Sequence, residues 1–266
     1  MIAFILALAT APSPGAAERD LLARAEAAAA RGSMDEAARA WEEAATRSAG
    51  PAPALVRAAR ARRGLAEQHA IQASDRGAPV GQALESAARE AQVCADDARQ
   101  AWAWTAPEAA AASRQGRPPA DFLALVGQPA AEALYLDAVC AALWARSRGI
   151  TPLLERNVEL RAYLERTAQL APQLDEAGPD RELGWLLAAL PAYAGGDLDA
   201  ARRHFEKALA RAPAPRTRLL YAGSVAVKAQ DRALFEAQLR PVVDGKGELA
   251  DKARALLQRA DELFGK

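Results

Sequence analysis

The sequence predicts an all-α protein, a right-handed superhelical solenoid of stacked helical hairpins closed by a capping C-terminal helix. Three observations carry this reading. Alanine dominates a hydrophobic fraction of 51%, aromatic residues make up only 5%, and β-branched runs are almost absent, so propensity favours helix over strand. Apolar residues recur at helical spacing between Gly and Pro residues that suit helix ends. Finally, one spacing of small, aromatic and proline residues recurs along the chain. Charge is balanced, with 34 basic and 34 acidic residues in 266, which leaves no global field to recruit nucleic acid or an anionic membrane. No nucleic-acid partner is predicted.

Residues 1–17 read as a signal peptide, and residues 18–266 as a single α-helical domain. The apolar run Ile2 to Ala9 precedes Pro12, Pro14 and the small pair Ala16-Ala17, which suits cleavage before Glu18. The run is far shorter than the ~20 residues that span a bilayer. Its n-region has only the α-amino charge, and a frayed apolar tail is the alternative. With no Cys near the cleavage position, lipid anchoring is not predicted.

A first hairpin occupies residues 18–50. Glu18 to Arg31 and Asp35 to Arg47 are helices separated by Gly32-Ser33, and Ala37, Trp41, Ala44 and Ala49 fall at intervals of four, three and five. Residues 51–128 lack that spacing and form degenerate repeats or an insertion. Pro53 to Ser74 is a basic helix whose Arg57, Arg60, Arg62 and Arg63 make either a solvated face or an anion or partner site. A turn follows over Asp75 to Gly81, then a long helix from Gln82 to Thr105 carrying Cys94, Trp102 and Trp104. The two tryptophans are two apart on a helix, so at most one lies fully in the core. Pro107 and Gln115 to Pro119 bracket one short helical piece, and Ala120 to Val126 form another.

Residues 129–247 restore the spacing in three hairpins. In the first, Ala130 to Arg148 ends at Gly149, and Thr151-Pro152 opens a helix to Leu170. Leu160, Leu164, Thr167 and Pro172 repeat the intervals, and Gln173 to Arg181 is a linker. The second hairpin, Gly184 to Pro213, is the clearest. Trp185 begins an apolar helix, Gly195, Gly196 and Asp197 form the turn, and Asp197 is well placed to cap the next helix. Ala201 and Ala208 are small enough for close approach, Phe205 fills the space between helices, and Pro213 ends the second helix. Pro191 lies within the first helix and kinks or ends it; the kink either wraps the solenoid or widens a space beside it. The third hairpin, Leu219 to Gly247, is offset by 34 residues and puts Asp231 where the second has Asp197. Residues 248–266 form the cap.

Little here suits catalysis. His69 and His204 are the only histidines, neither lies in a metal-ligand pattern, and no Gly-rich phosphate loop follows a strand. His204 reads as a surface residue. No enzyme activity, cofactor or metal is predicted. Cys94 and Cys140 form either a disulfide or two buried thiols. Tyr135, Trp144, Trp185 and Tyr193 are the candidate ligand-lining residues, an apolar pocket with polar tips, with core packing as the alternative role.

The hairpin spacing resembles the second half of a tetratricopeptide unit. More specifically, ALYLDAVCAALWARSRGI (133–150), GPDRELGWLLAALPAYAGGDLDAARRHFEKALARAP (178–213) and LLYAGSVAVKAQDRALFE (219–236) resemble the T component of TRAP solute transporters. That resemblance implies a periplasmic, tetratricopeptide-like accessory protein without enzymatic activity. It also implies association with the transporter's solute-binding protein, assembly as a homotrimer, and a lumen for a hydrophobic small ligand. The alternative is a general scaffold for protein–protein interaction in the cell envelope, with an open concave peptide-binding surface.

Overall fold

The computed structural model describes residues 15–73 and 80–265. The apolar leader Ile2 to Ala9 and most of the expected turn at Asp75 to Gly81 lie outside the described residues. The described chain is helical, in order α1 (Ala16–Ala30), α2 (Met34–Thr46), α3 (Ala52–Gln72), α4 (Val80–Thr105), α5 (Pro107–Arg114), α6 (Pro119–Phe122) and α7 (Ala131–Arg148). It continues through α8 (Ile150–Leu170), α9 (Leu174–Ala189), α10 (Leu198–Arg211), α11 (Pro215–Tyr221), α12 (Arg232–Val243), α13 (Glu248–Gln258) and α14 (Ala260–Phe264). Among the described residues there is no strand, and no single helix is long and apolar enough to cross a membrane. Most long helices pack against their neighbour in sequence, the arrangement of a helical solenoid, and α7 also meets α3, α4 and α9.

The α9–α10 hairpin shows why these residues fold this way. Leu190 takes an extended ψ of 147° ahead of Pro191, as the steric demand of a following proline requires. The helix therefore stops at Ala189, and Pro191 terminates it without kinking it. Gly195 turns the chain at φ 85°, a conformation that costs glycine little. Gly196 passes so close to the Leu190 and Pro191 carbonyls that a Cβ would collide with them. Asp197 then caps α10, its side chain accepting from the Ala200 N–H at 2.9 Å. Asp231 caps α12 in the same way through Leu234, also at 2.9 Å. Across the hairpin, Ala201, Phe205 and Ala208 are buried, and the Phe205 ring lies against the bare Cα of Gly184 and stacks on Tyr221 at 5.0 Å.

Several expectations need adjustment. Gly178 to Arg181 belongs to the first turn of the regular part of α9, with Pro179 near its start, so the linker from α8 ends earlier than Arg181. Just before it, Asp175, Glu176 and Ala177 all have positive φ (49°, 56° and 60°), a strained run for side-chain-bearing residues. The basic cluster of α3 divides: Arg57 and Arg60 lie on a solvated face, whereas Arg62 and Arg63 are buried among carboxylates. Arg57 pairs with Glu26, Arg60 with Glu132, Arg62 with Asp35, Glu42 and Glu90, and Arg63 with Glu67 and Asp175, so the cluster ties five other helices, α1, α2, α4, α7 and α9, to α3. His204 is not simply a surface residue: its Nδ1 lies 3.0 Å from buried Asp180. The C-terminal cap is two helices that break at Arg259.

Of the two neighbouring tryptophans, Trp102 is buried and gives its indole N–H to Asp137 at 2.9 Å, whereas Trp104 is 56% exposed. α4 and α7 bring Cys94 and Cys140 together, with Cα atoms 5.8 Å apart and the sulfurs bonded.

Candidate ligand cavity

A cavity of about 720 Å³ opens between α3, α4, α7, α9, α11 and α13, within the size range of sites for one small molecule. Its largest wall is one face of α7, where Val139, Ala142, Leu143, Arg146 and Ser147 follow at helical intervals. Opposite stand Leu219, Leu220 and Gly223. Gly223 lies in a π-turn, Ala222–Ala226, that continues α11; such turns bulge a helix and often accompany functional sites. Leu84 comes from α4, and Leu249 and Leu256 of α13 form the far side, so apolar side chains dominate.

The polar groups converge at the junction of α3, α7, α9 and α11. Arg216 donates to Glu67 at 3.0 Å, and Arg63 donates to the same carboxylate at 2.9 Å. Burial alone would raise the Glu67 carboxyl, but the Arg216 hydrogen bond and the Arg63 charge prevail and hold it below its ordinary range. Behind Glu67, Asp175 accepts from Arg63 (2.9 Å), from Arg181 (2.6 Å) and from the Tyr135 hydroxyl (2.6 Å). This network explains how three left-handed residues persist at 175–177: burying Arg181 without that carboxylate would cost more than the strain. Glu182 pairs with Arg181 at 3.1 Å.

Arg146 is different. Its guanidinium carbon sits 4.5 Å from the ring centroid of Trp185, a cation–π contact. It has no hydrogen bond or ion pair to a described residue. The side chain reaches the cavity's solvent, yet the crowding of protein around it desolvates the charge and lowers its pKa from the ordinary value.

The four aromatic candidates separate in space. Trp185 lines the cavity. Tyr135 is buried beneath it in the Asp175 network, Trp144 is half-buried at the edge of the core, and Tyr193 is 86% exposed beyond the end of α9. Pro191, Gly195, Gly196 and Asp197 shape the α9–α10 turn, away from the cavity wall. Neither His69, which contacts Gln72, nor His204 joins a nucleophile, and no group of three His, Cys, Asp or Glu side chains among the described residues could hold a metal ion. Sequence reading passed over Arg146, although it stands at i+7 from Val139, with Ala142 and Leu143 at i+3 and i+4, on an otherwise apolar stripe.

No curated protein matches the chain. A family model described as TRAP transporter T-component matches residues 83–264, a segment that supplies every cavity wall except that of α3.

Proposed function

Because the chain belongs to the TRAP transporter T-component family, and so is an accessory component of a TRAP-type solute uptake system, we propose that it works in the periplasm as a non-catalytic binding component. In this reading it docks on the transporter's solute-binding protein and holds a hydrophobic small ligand in the α7–α11 cavity. The apolar cavity inside the family-matched segment is the observation that carries the proposal. A largely apolar, open-sided cavity with a few converging polar groups suits binding of a small molecule. The apolar run at Ile2 to Ala9 supports export, and exposed Trp104 supports an interface, either with the partner or within the homotrimer that the resemblance implies.

Affinity capture of the tagged chain from its native envelope tests the role. Recovery of a TRAP solute-binding protein in stoichiometric amount is the expected result. Recovery of unrelated envelope proteins through an open concave face would replace the transport reading with that of a general scaffold.

A further inference from the structure

We infer that the C-terminal unit α11–α14 is a lid on the cavity, and that it closes by bringing Glu248 of α13 against Arg146 of α7. This concerns regulation of the same cavity and rests on the proposed binding role.

The unit has a core of its own. Leu219, Ala222, Phe235, Leu239, Val242 and Ala253 belong to a hydrophobic cluster separate from the main one, and Phe264 closes it against Phe235 at 5.0 Å. Its attachment to the main body runs along α9 and α10. Tyr221 stacks on Phe205 at 5.0 Å, Lys228 donates to the Ala188 and Leu190 carbonyls at 2.8 and 3.2 Å, and Asp231 accepts from Arg202 at 3.4 Å. Arg216, in the first turn of α11, adds its pair with Glu67. The other edge is α13. It lines the cavity with Glu248, Leu249, Lys252 and Leu256, yet the hydrogen bonds seen for it stay inside its own unit, from Arg254 to Asp251 and to the Val243 and Gly245 carbonyls. A body with a separate core, held along one edge, is suited to hinge motion.

In this structure the cavity is open-sided, so the lid stands open. The facing walls carry what closure needs. Glu248 and Lys252 sit one helical turn apart, and neither has an ion pair among the described residues. Arg146, on the wall across from α13, is exposed and equally unpaired, and Glu182 lies near it in the same wall. Glu248 with Lys252 thus confronts Arg146 with Glu182, an arrangement of opposite signs. Pairing them leaves no charge stranded, because Glu182 also keeps Arg181 at 3.1 Å. Leu249 is 40% exposed, and Leu84 lines the opposing side, so closure also removes apolar surface from water. A ligand that touches both walls binds the closed state better and shifts the lid toward it.

The test is pulsed electron–electron spin resonance on the full-length mature chain, with nitroxide labels at Glu85→Cys on α4 and Ala255→Cys on α13, both exposed positions. This pair should show two distances, the shorter being the closed lid; a control pair at Glu85→Cys and Arg203→Cys should show one. Glu248→Arg should lower the ratio of short to long about two- to five-fold, as loss of an exposed ion pair gives, and high salt should act in the same direction. Adding Arg146→Glu to Glu248→Arg should restore part of the ratio, which a merely structural effect of either change would not do. The neutral fluorophore N-phenyl-1-naphthylamine, whose emission reports its own binding, should raise the short fraction. A single distance under all conditions would overturn the inference, as would a short fraction indifferent to Glu248→Arg or a bound probe that leaves that fraction unchanged. A charge-dependent short fraction with no binding of the probe would uphold the lid and refute the ligand part of the proposed function alone.

Discussion

Asp97 should make the protein less stable as pH rises from about 4 to about 7, and replacing it with Asn should remove that dependence. The carboxyl lies on α4, 6% exposed, and its Oδ2 has no hydrogen-bond partner among the described residues. The nearby cation is already committed: Arg62 binds Glu42 through two nitrogens, at 2.7 and 3.1 Å, and reaches Asp35 and Glu90, both at 3.0 Å. Burial first, then the negative charge of Glu42, pushes the Asp97 carboxyl up to about 7.

The folded state therefore holds a proton that the unfolded chain releases near the ordinary 3.8. Between those values the folded form binds more protons, so stability falls as pH rises from about 4 to about 7 and is level above that. A carboxyl lifted from 3.8 to about 7 loses ~4 kcal/mol of folded-state stability once ionised, an upper bound. Asp97→Asn resembles the protonated acid in shape and in its unpaired atom. Urea unfolding followed by circular dichroism should give equal stabilities near pH 4 and an advantage of about 2–4 kcal/mol for the variant near pH 8. A variant no more stable than the parent near pH 8, or a difference that does not change with pH, would refute the reasoning.

Other perturbations address the scaffold around the cavity. Gly184→Ala would bring a Cβ to 2.8 Å from the Phe205 ring and 3.1 Å from the Ala201 carbonyl; overpacking of about 1–3 kcal/mol should outweigh the gain in helix propensity and lower the thermal midpoint. Asp180 is buried and held below its ordinary range: burial raises it, but hydrogen bonds from His204 and Lys207 and the charge of Arg211 overcome that. Its contribution is present above 3.8 and lost as pH falls further. Asp180→Asn should thus cost about 1–3 kcal/mol near neutral pH, with the gap closing in acid unfolding curves below about pH 3. Reducing Cys94–Cys140, which closes a separation of 46 residues, should cost up to ~4 kcal/mol in denaturant titrations run with and without reductant.

Helix positions and the α9–α10 turn were legible because their causes are local: an Asp cap, a glycine at positive φ and a proline that forbids another turn. Of the two outcomes open at Pro191, a kink or an end, the end prevails for a local reason, since Leu190 leaves helical geometry before it. The Arg57 to Arg63 cluster was ambiguous because, Glu67 apart, the acids that satisfy Arg62 and Arg63 come from other helices, Asp175 more than a hundred residues away. The same holds for the cavity. Trp185 announces itself by its chemistry, but Tyr135, Trp144 and Tyr193 share its type and are separated only by how α7 and α9 rotate in the stack. Arg146 becomes informative once Glu67 and Glu182 near it are seen to be paired with other bases, which no spacing in the chain encodes.

Native mass spectrometry of the mature chain mixed with the solute-binding protein of its own transporter tests the central claim most directly. The account predicts an assembly containing both proteins, with a small ligand that leaves only on collisional activation. Two proteins flying separately at every concentration, with no ligand on either, would contradict it.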